Sequence, residues 1–436
     1  MSALSTEDIT VGTTTFASLG VPAPLVATLA SSGITAPFPI QTATLPDALA
    51  GRDILGRAQT GSGKTLGFSL PLVARLADGH TMACRPRGLI LVPTRELAAQ
   101  VQGVITPLAH AAGLKVTAIF GGTPQNPQVA ALRGRADVVV ACPGRLADLI
   151  EQGHCHLGDV EITVLDEADH MADLGFLPVV RRLLDATPPE GQRMLFSATL
   201  DGAVDVIARR FLTRPARHSV DAGSRPPEIT HHLLTVTPAD RAGVIAALAS
   251  GEGRTLIFTR TKHGARKLVR QLAQTGTLAA ELHGNLAQGA RTRNLAAFTS
   301  GEVRAMVATD IAARGIHVDG IELVIHADPP AGHKAYTHRS GRTARGGAEG
   351  TVVTVQTLAQ APEVRTLMRK AGVSPQASAA GPGAAILRSI AGPPAKRPVR
   401  VPAARTTSLS VLPGDQPAGR GAAAVSTSFR GRRRRR

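Results

Sequence analysis

Three acids, Asp166, Glu167 and Asp169, fall within four positions of one another, directly after the aliphatic pair Val164-Leu165. Carboxylates packed this closely repel unless a cation or a partner offsets them, so the cluster asks for a bound metal. A second stretch, Ala58-Gln59-Thr60-Gly61-Ser62-Gly63-Lys64-Thr65, gives such a metal something to hold. It has the spacing of a P-loop with alanine in first place. The glycines let backbone N–H groups of Thr60, Gly61, Ser62 and Gly63 face phosphates, Lys64 can reach the β- and γ-phosphates, and Thr65 can ligate magnesium. A helix-capping turn is also Gly-rich, but glycine-lysine-threonine between a strand and a helix is a much narrower pattern. In the division of labour expected for such a loop, Asp166 holds magnesium through water and Glu167 polarises an attacking water.

A third stretch lies far downstream. Tyr336-Thr337-His338-Arg339-Ser340-Gly341-Arg342-Thr343-Ala344-Arg345 sets three arginines at spacing three on a helical pattern, where they could face one groove. A solvated basic face is the plainer alternative. The first half of the chain has a triphosphate site but no arginine finger of its own, and a finger supplied from the second half would make hydrolysis depend on domain closure.

These residues need a scaffold, and the hydrophobic pattern supplies one. From Phe16 to Val220 short aliphatic runs alternate with amphipathic stretches, with strands expected at 88–92, 115–120, 137–141, 162–165 and 194–196. A second set follows at 255–258, 303–308, 323–325 and 351–355. Strands separated by helices imply parallel sheets covered on both faces. In open sheets of this kind ligands bind beyond the carboxyl ends of the strands, which is where Asp166 and Glu167 fall. The expected organisation is a loose N-terminus (1–15), an α/β domain over 16–220, a connector at 221–227 opening a second α/β domain (221–370), and a tail over 371–436.

Composition bounds the partners. The net charge is +17, which points to a polyanion. Residues 371–436 hold twelve Arg or Lys against one acid, Asp415, so +11 of that charge sits in the tail. The tail's Ala, Gly, Pro and Ser content cannot bury a core, and disorder with electrostatic RNA tethering is the expectation. Arginine outnumbers lysine about six to one, which suggests a GC-rich, bacterial genome. Cys84, Cys142 and Cys155 form no CxxC pair, and His154 and His156 beside Cys155 lack a second ligand pair, so neither a disulfide framework nor a zinc site is indicated. No secretory signal pattern opens the chain, and the uncharged run over 9–46 is broken by Pro, Gly and hydroxyl residues. A soluble, cytoplasmic protein with a monomeric core and no membrane partner is expected.

With these residues in hand, the sequence resembles a DEAD-box RNA helicase over roughly 16–370, with many motifs recurring in order. The resemblance implies two tandem RecA-like domains, ATP and magnesium as cofactors, and RNA as partner. Residues 33–41 match the family's Q motif, so Gln41 would read the adenine edge with Phe16 packed nearby. Thr94 and Arg95, Gly122, and Arg145 match the first domain's RNA-backbone motifs, and Arg260, Gly284 and Thr309 match the second domain's. Asp169 would link to Ser197 and Thr199, the motif said to couple hydrolysis to unwinding. Residues 338–345 resemble the arginine-finger motif, with His338 in the coupling set and Arg342 and Arg345 as the fingers. Only 3% of the chain is aromatic, so phosphate and 2′-OH contacts, rather than base stacking, should grip the strand.

Three positions depart from the family pattern. Cys142 replaces a threonine before Pro-Gly-Arg, removing a hydroxyl from the RNA side. Phe38 replaces Thr or Ser in the Q motif and with it a local hydrogen bond to the phosphate loop. His317 replaces an aspartate at the nucleotide ribose, which implies weaker nucleotide discrimination or some pH sensitivity. Two competing readings share parts of the pattern: a DNA-directed superfamily 2 translocase, and a basic RNA chaperone with a vestigial ATPase.

Overall fold

The computed structural model describes residues 14–59, 61–200, 202–220, 229–313, 318, 320–344 and 348–393. Two seven-stranded sheets, parallel throughout, dominate these residues. The first contains β1 (Ile54–Arg57), β2 (Gly88–Leu91), β3 (Val116–Ile119), β4 (Val138–Ala141), β5 (Ile162–Asp166), β6 (Gln192–Ser197) and β7 (Ala216–Ser219), in the order β3-β4-β2-β5-β6-β1-β7. The second contains β8 (Ile229–Thr235), β9 (Arg254–Thr259), β10 (Ala279–Leu282), β11 (Ala305–Thr309), β12 (Ile321–His326), β13 (Gly350–Gln356) and β14 (Ala377–Ala379), in the order β10-β11-β9-β12-β13-β8-β14. The second order repeats the first strand for strand. The expected pair of RecA-like α/β domains is what the chain forms.

Alternation along the strands builds two apolar layers per sheet, as a period of two requires when both faces are covered. Ile90, Val138, Val140, Val164, Met194 and Phe196 face one helical layer of the first domain. Their neighbours Leu89, Leu91, Val139, Leu165 and Leu195 face the other. Because the strands are parallel, all their carboxyl ends emerge on one edge, and the loops bearing the predicted site residues gather there.

The end of the second domain corrects the sequence reading. Residues 371–393 are not part of the tail: β14 pairs with β8, Ala377 opposite Leu233, and the helix Ala385–Ala391 follows it. That helix seats Leu387, 1% exposed, in the core with Val244 and Leu248. The signal was hidden because Ala and Gly dominate and only Ala380 and Leu387 are buried here. The remainder of the expected tail, 394–436, the connector at 221–227 and most of the N-terminus lie outside the described residues. Among the described residues no helix is long and apolar enough to cross a membrane.

Candidate active site and nucleic-acid interface

The phosphate loop joins β1 to the helix Lys64–Leu76, with Gly61 and Gly63 at φ 88° and 86°, a backbone region that glycine enters without a Cβ clash. A Cβ on Gly63 would run into the Gln41 amide and the Phe38 ring. Gln41 is fully buried and bridges two elements: its Nε2 donates to Gly63 O at 2.8 Å, and its Oε1 accepts from Phe38 N at 2.9 Å. The loop is thus tied to the Q-motif helix without a hydroxyl at position 38, and the connection that the Phe38 departure put in question is made by Gln41. Phe16 is 2% exposed and belongs to the same core cluster as Val21, Leu25, Leu29 and the Q-motif residue Ile40.

Lys64 donates from Nζ to Ala58 O at 2.8 Å and Gln59 O at 2.7 Å, holding its ammonium inside the curl of the loop. Across β6 from β1, the end of β5 carries Asp166, 3% exposed. Burial pushes the Asp166 carboxyl up to about 7; Lys64 opposes that shift, and Glu167 adds to it. A buried carboxylate short of positive charge, beside a lysine and a helix N-terminus, suits a divalent cation and a phosphate chain. Thr65 begins the same helix one position after Lys64, so Thr65 and Asp166 are the residues that fit magnesium.

Glu167 follows in the left-handed region (φ 51°, ψ 51°), with its N–H donating to Asp166 Oδ1 at 3.0 Å. Such a conformation is uncommon for a non-glycine residue and gathers at functional sites. Its carboxylate Oε2 lies 3.1 Å from His170 Nδ1. Asp169 turns the other way. Its N–H donates to Ser197 Oγ, and its Oδ2 accepts from Thr199 N at 3.1 Å and Thr199 Oγ1 at 3.2 Å. The Asp169–Ser197–Thr199 link expected from the resemblance is therefore present as a contact.

The predicted RNA residues form two rows. In the first domain, Thr94 caps the helix Arg95–Ala111 by accepting from Leu97 N, Gly122 (φ 78°) gives way to the Arg95 guanidinium, and Arg145 reaches Thr123 O at 3.4 Å. These sit past the ends of the adjacent strands β2, β3 and β4. Cys142 packs beside them on the core, and burial, then Glu96, pushes its thiol up to about 12, so it stays protonated. In the second domain Arg260, Gly284 and Thr309 occupy the matching ends of β9, β10 and β11. Arg260 N–H donates to Asp328 Oδ2 at 2.8 Å.

The two rows meet. Arg291 Nε donates to Glu96 Oε1 at 2.8 Å, and the two side chains are 10% and 7% exposed. Gln288 Nε2 also reaches Glu96 Oε1, and Arg95 Nη1 reaches Gln288 Oε1, each at 3.3 Å. Glu96 falls inside the motif around Thr94 and Arg95, and Gln288 and Arg291 inside the one around Gly284, but the contact between them has no sequence signal, since a pair this far apart in the chain leaves no local pattern.

The arginine cluster divides. The helix His333–Ser340 stops before Gly341, so Arg339 lies on it and Arg342 beyond its end, and the two are not on one helical face as the spacing suggested. Arg339 turns inward, bonding Asp310 through Nε at 2.5 Å and Nη2 at 2.7 Å, and stacks over Phe258. Arg342 lies beyond the helix end and shares a small cavity with Phe258, Asp310, His338 and Arg339, all second-domain residues. Thr60, His317 and Arg345 lie outside the described residues.

The chain matches the DEAD/DEAH box helicase model over residues 38–206 and the helicase conserved C-terminal domain model over 241–347. It is 42% identical over 369 residues to the chloroplastic DEAD-box ATP-dependent RNA helicase 3A of Zea mays, a match covering 82% of this chain but 49% of that protein. The chain thus spans about half the length of that relative. With DEAD-box ATP-dependent RNA helicase 20 of Arabidopsis thaliana it is 35% identical over 401 residues, 89% of this chain and 79% of that one. Among solved structures it resembles S. cerevisiae Dbp5 bound to RNA and ADP BeF3, at a TM-score of 0.74 and 26% identity over 86% of this chain and 99% of that one. Since the Arabidopsis match runs through most of both proteins, and both helicase models fall on the two sheets described above, the chain belongs to the DEAD-box family of ATP-dependent RNA helicases.

Proposed function

We propose that this protein is an RNA-stimulated ATPase that uses closure of its two domains to open RNA duplexes locally. The observation that carries the reading is Asp166, buried beside Lys64 at the phosphate loop with the candidate base Glu167 next in sequence. ATP would lie on Gly61, Ser62, Gly63, Lys64 and Thr65, with Gln41 both bracing that loop and facing the adenine. Thr60 and His317 join this set from the sequence alone. Thr65 and Asp166 would hold magnesium, which when bound neutralises phosphate charge. Glu167 orients the attacking water and takes its proton, while Arg342 and Arg345 stabilise charge on the transferring phosphoryl group. Asp169, Ser197, Thr199 and His338 relay that state to the strand-binding rows.

RNA would run along Thr94, Arg95, Gly122 and Arg145, then Arg260, Gly284 and Thr309, gripped through its backbone and without sequence preference. The Glu96–Arg291 contact supports closure, because it brings the two rows together beside the strand path. The relative for which RNA and a nucleotide analogue are named, yeast Dbp5, shares the architecture. A monomeric core, an RNA-tethering tail, a bacterial source and a cytoplasmic location complete the reading. The bacterial source rests on the arginine-rich, lysine-poor composition.

The deciding experiment measures ATP turnover with RNA and with DNA of one sequence, for the wild type and Lys64→Ala. Stimulation by RNA alone, lost in the variant, is the expected result. Equal stimulation by DNA would favour a DNA translocase. Strand annealing that survives Lys64→Ala, with no stimulated turnover in the wild type, would favour an RNA chaperone.

A further inference from the structure

We propose that His170 is a positioning residue for Glu167, fixing the carboxylate that takes the proton from the attacking water. This inference rests on the assignment of Glu167 as that base. His170 stands one helical turn after Glu167 on the short helix Ala168–Asp173, and its Nδ1 lies 3.1 Å from Glu167 Oε2. With Glu167 ionised, Nδ1 carries the proton and donates it, which selects one tautomer.

Among the described residues the ring makes no other hydrogen bond. It is 6% exposed, and Nε2 has no hydrogen-bond partner among the described residues. A histidine kept for cross-linking would use both nitrogens; this one spends its single described side-chain hydrogen bond on the candidate base. The contact acts on the side chain of Glu167. Its backbone, in the left-handed region, is held by main-chain bonds, from its own N–H to Asp166 Oδ1 and from Met171 N to its carbonyl. Those bonds fix the main chain, and the imidazole touches the carboxylate itself.

Placement on the helix adds a second consequence. Asp169, the preceding residue, is tied to Ser197 and Thr199, and its Oδ1 accepts from His170 N at 3.0 Å. A shift of the 197–199 turn would therefore move the helical turn that carries the imidazole. The base and the coupling contact share one short element, with His170 on the side of the base.

The test compares His170→Leu and His170→Asn, since the asparagine amide keeps a donor near the Nδ1 position while leucine removes it. Misplacing a catalytic group by about 1 Å costs on the order of 10²-fold. His170→Leu should therefore lower RNA-stimulated kcat by about 10- to 100-fold with KM for ATP unchanged, and His170→Asn should recover most of that loss. In a Glu167→Gln background, single-turnover phosphate release should show no further loss from His170→Leu. The inference is overturned if His170→Leu keeps kcat within twofold, if the loss appears in KM instead, or if Asn and Leu lose kcat equally. Glu167→Gln alone separates the two ideas: full turnover there would refute the base assignment, whereas an inactive Glu167→Gln beside an active His170→Leu would refute only the positioning role.

Discussion

Removing the charge partner across the domain contact should weaken closure without weakening either domain. In Arg291→Ala, Glu96 keeps its buried place beside Gln288 but loses the guanidinium 2.8 Å away. Stripping one member from a buried ion pair costs about 3–5 kcal/mol when the other charge stays buried. Here Arg95 and Gln288 stay close to Glu96 and offset part of that cost, which leaves about 2–3 kcal/mol. When the domains part, Glu96 regains water, and the cost falls on the closed state alone. At about 1.4 kcal/mol per factor of ten, the closed population should fall by about 30- to 150-fold. Energy transfer between dyes on the two domains, with single-stranded RNA and a non-hydrolysable ATP analogue, reads that population directly. Glu96→Gln should act in the same direction, and the exchanged pair Glu96→Arg with Arg291→Glu should recover part of the loss. The reasoning fails if Arg291→Ala closes within threefold of wild type. It also fails if the melting of the second domain drops, because Arg291 also donates to His283 O within that domain, and an effect there would be a local one.

Three further outcomes are expected. Arg342→Ala should reduce stimulated ATP turnover by about 10³- to 10⁵-fold while RNA affinity in a filter-binding assay changes little; turnover within tenfold of wild type would remove Arg342 from the hydrolytic set. His326, fully buried between Phe258 and Tyr336, has its pKa held well below the ordinary value by burial, then by Arg339 and His231. The unfolded chain therefore takes up a proton below about pH 6.5 that the folded domain refuses, so stability is lost as pH falls below that point. His326→Leu should flatten that part of the melting-against-pH curve, and parallel curves would refute it. Truncation after Pro393, which removes eleven of the tail's twelve basic residues, should flatten the log–log salt dependence of RNA binding by about 4 if half of them meet phosphates; an equal slope in both proteins would leave the tail a solvated end.

What could be read from the sequence was whatever lies close together along it. The phosphate loop, the acids after Leu165 and most strands are contiguous patterns, and all took the expected places. The missed features are of two kinds. Glu96–Arg291 depends on folding two distant helix starts onto one another, which no window contains. Arg339 and Arg342 were read as one stripe because spacing alone does not show a helix stopping at Ser340, nor that Asp310 would claim the first arginine.

The repeated strand order bears on how the chain can be cut. In each half the last strand pairs with the first, β7 with β1 and β14 with β8, so each sheet is completed by its own C-terminal residues. A fragment of the first half ending after Ser219 keeps its sheet whole. One of the second half ending at Lys370, where composition places the boundary, would strip β14 and leave the backbone of β8 open to pairing with other chains, an aggregation hazard. Extended to Pro393, it keeps that edge covered, and the helix that buries Leu387 with it. A protease map of the intact protein should accordingly give a stable C-terminal product whose end lies past residue 390 rather than near 370.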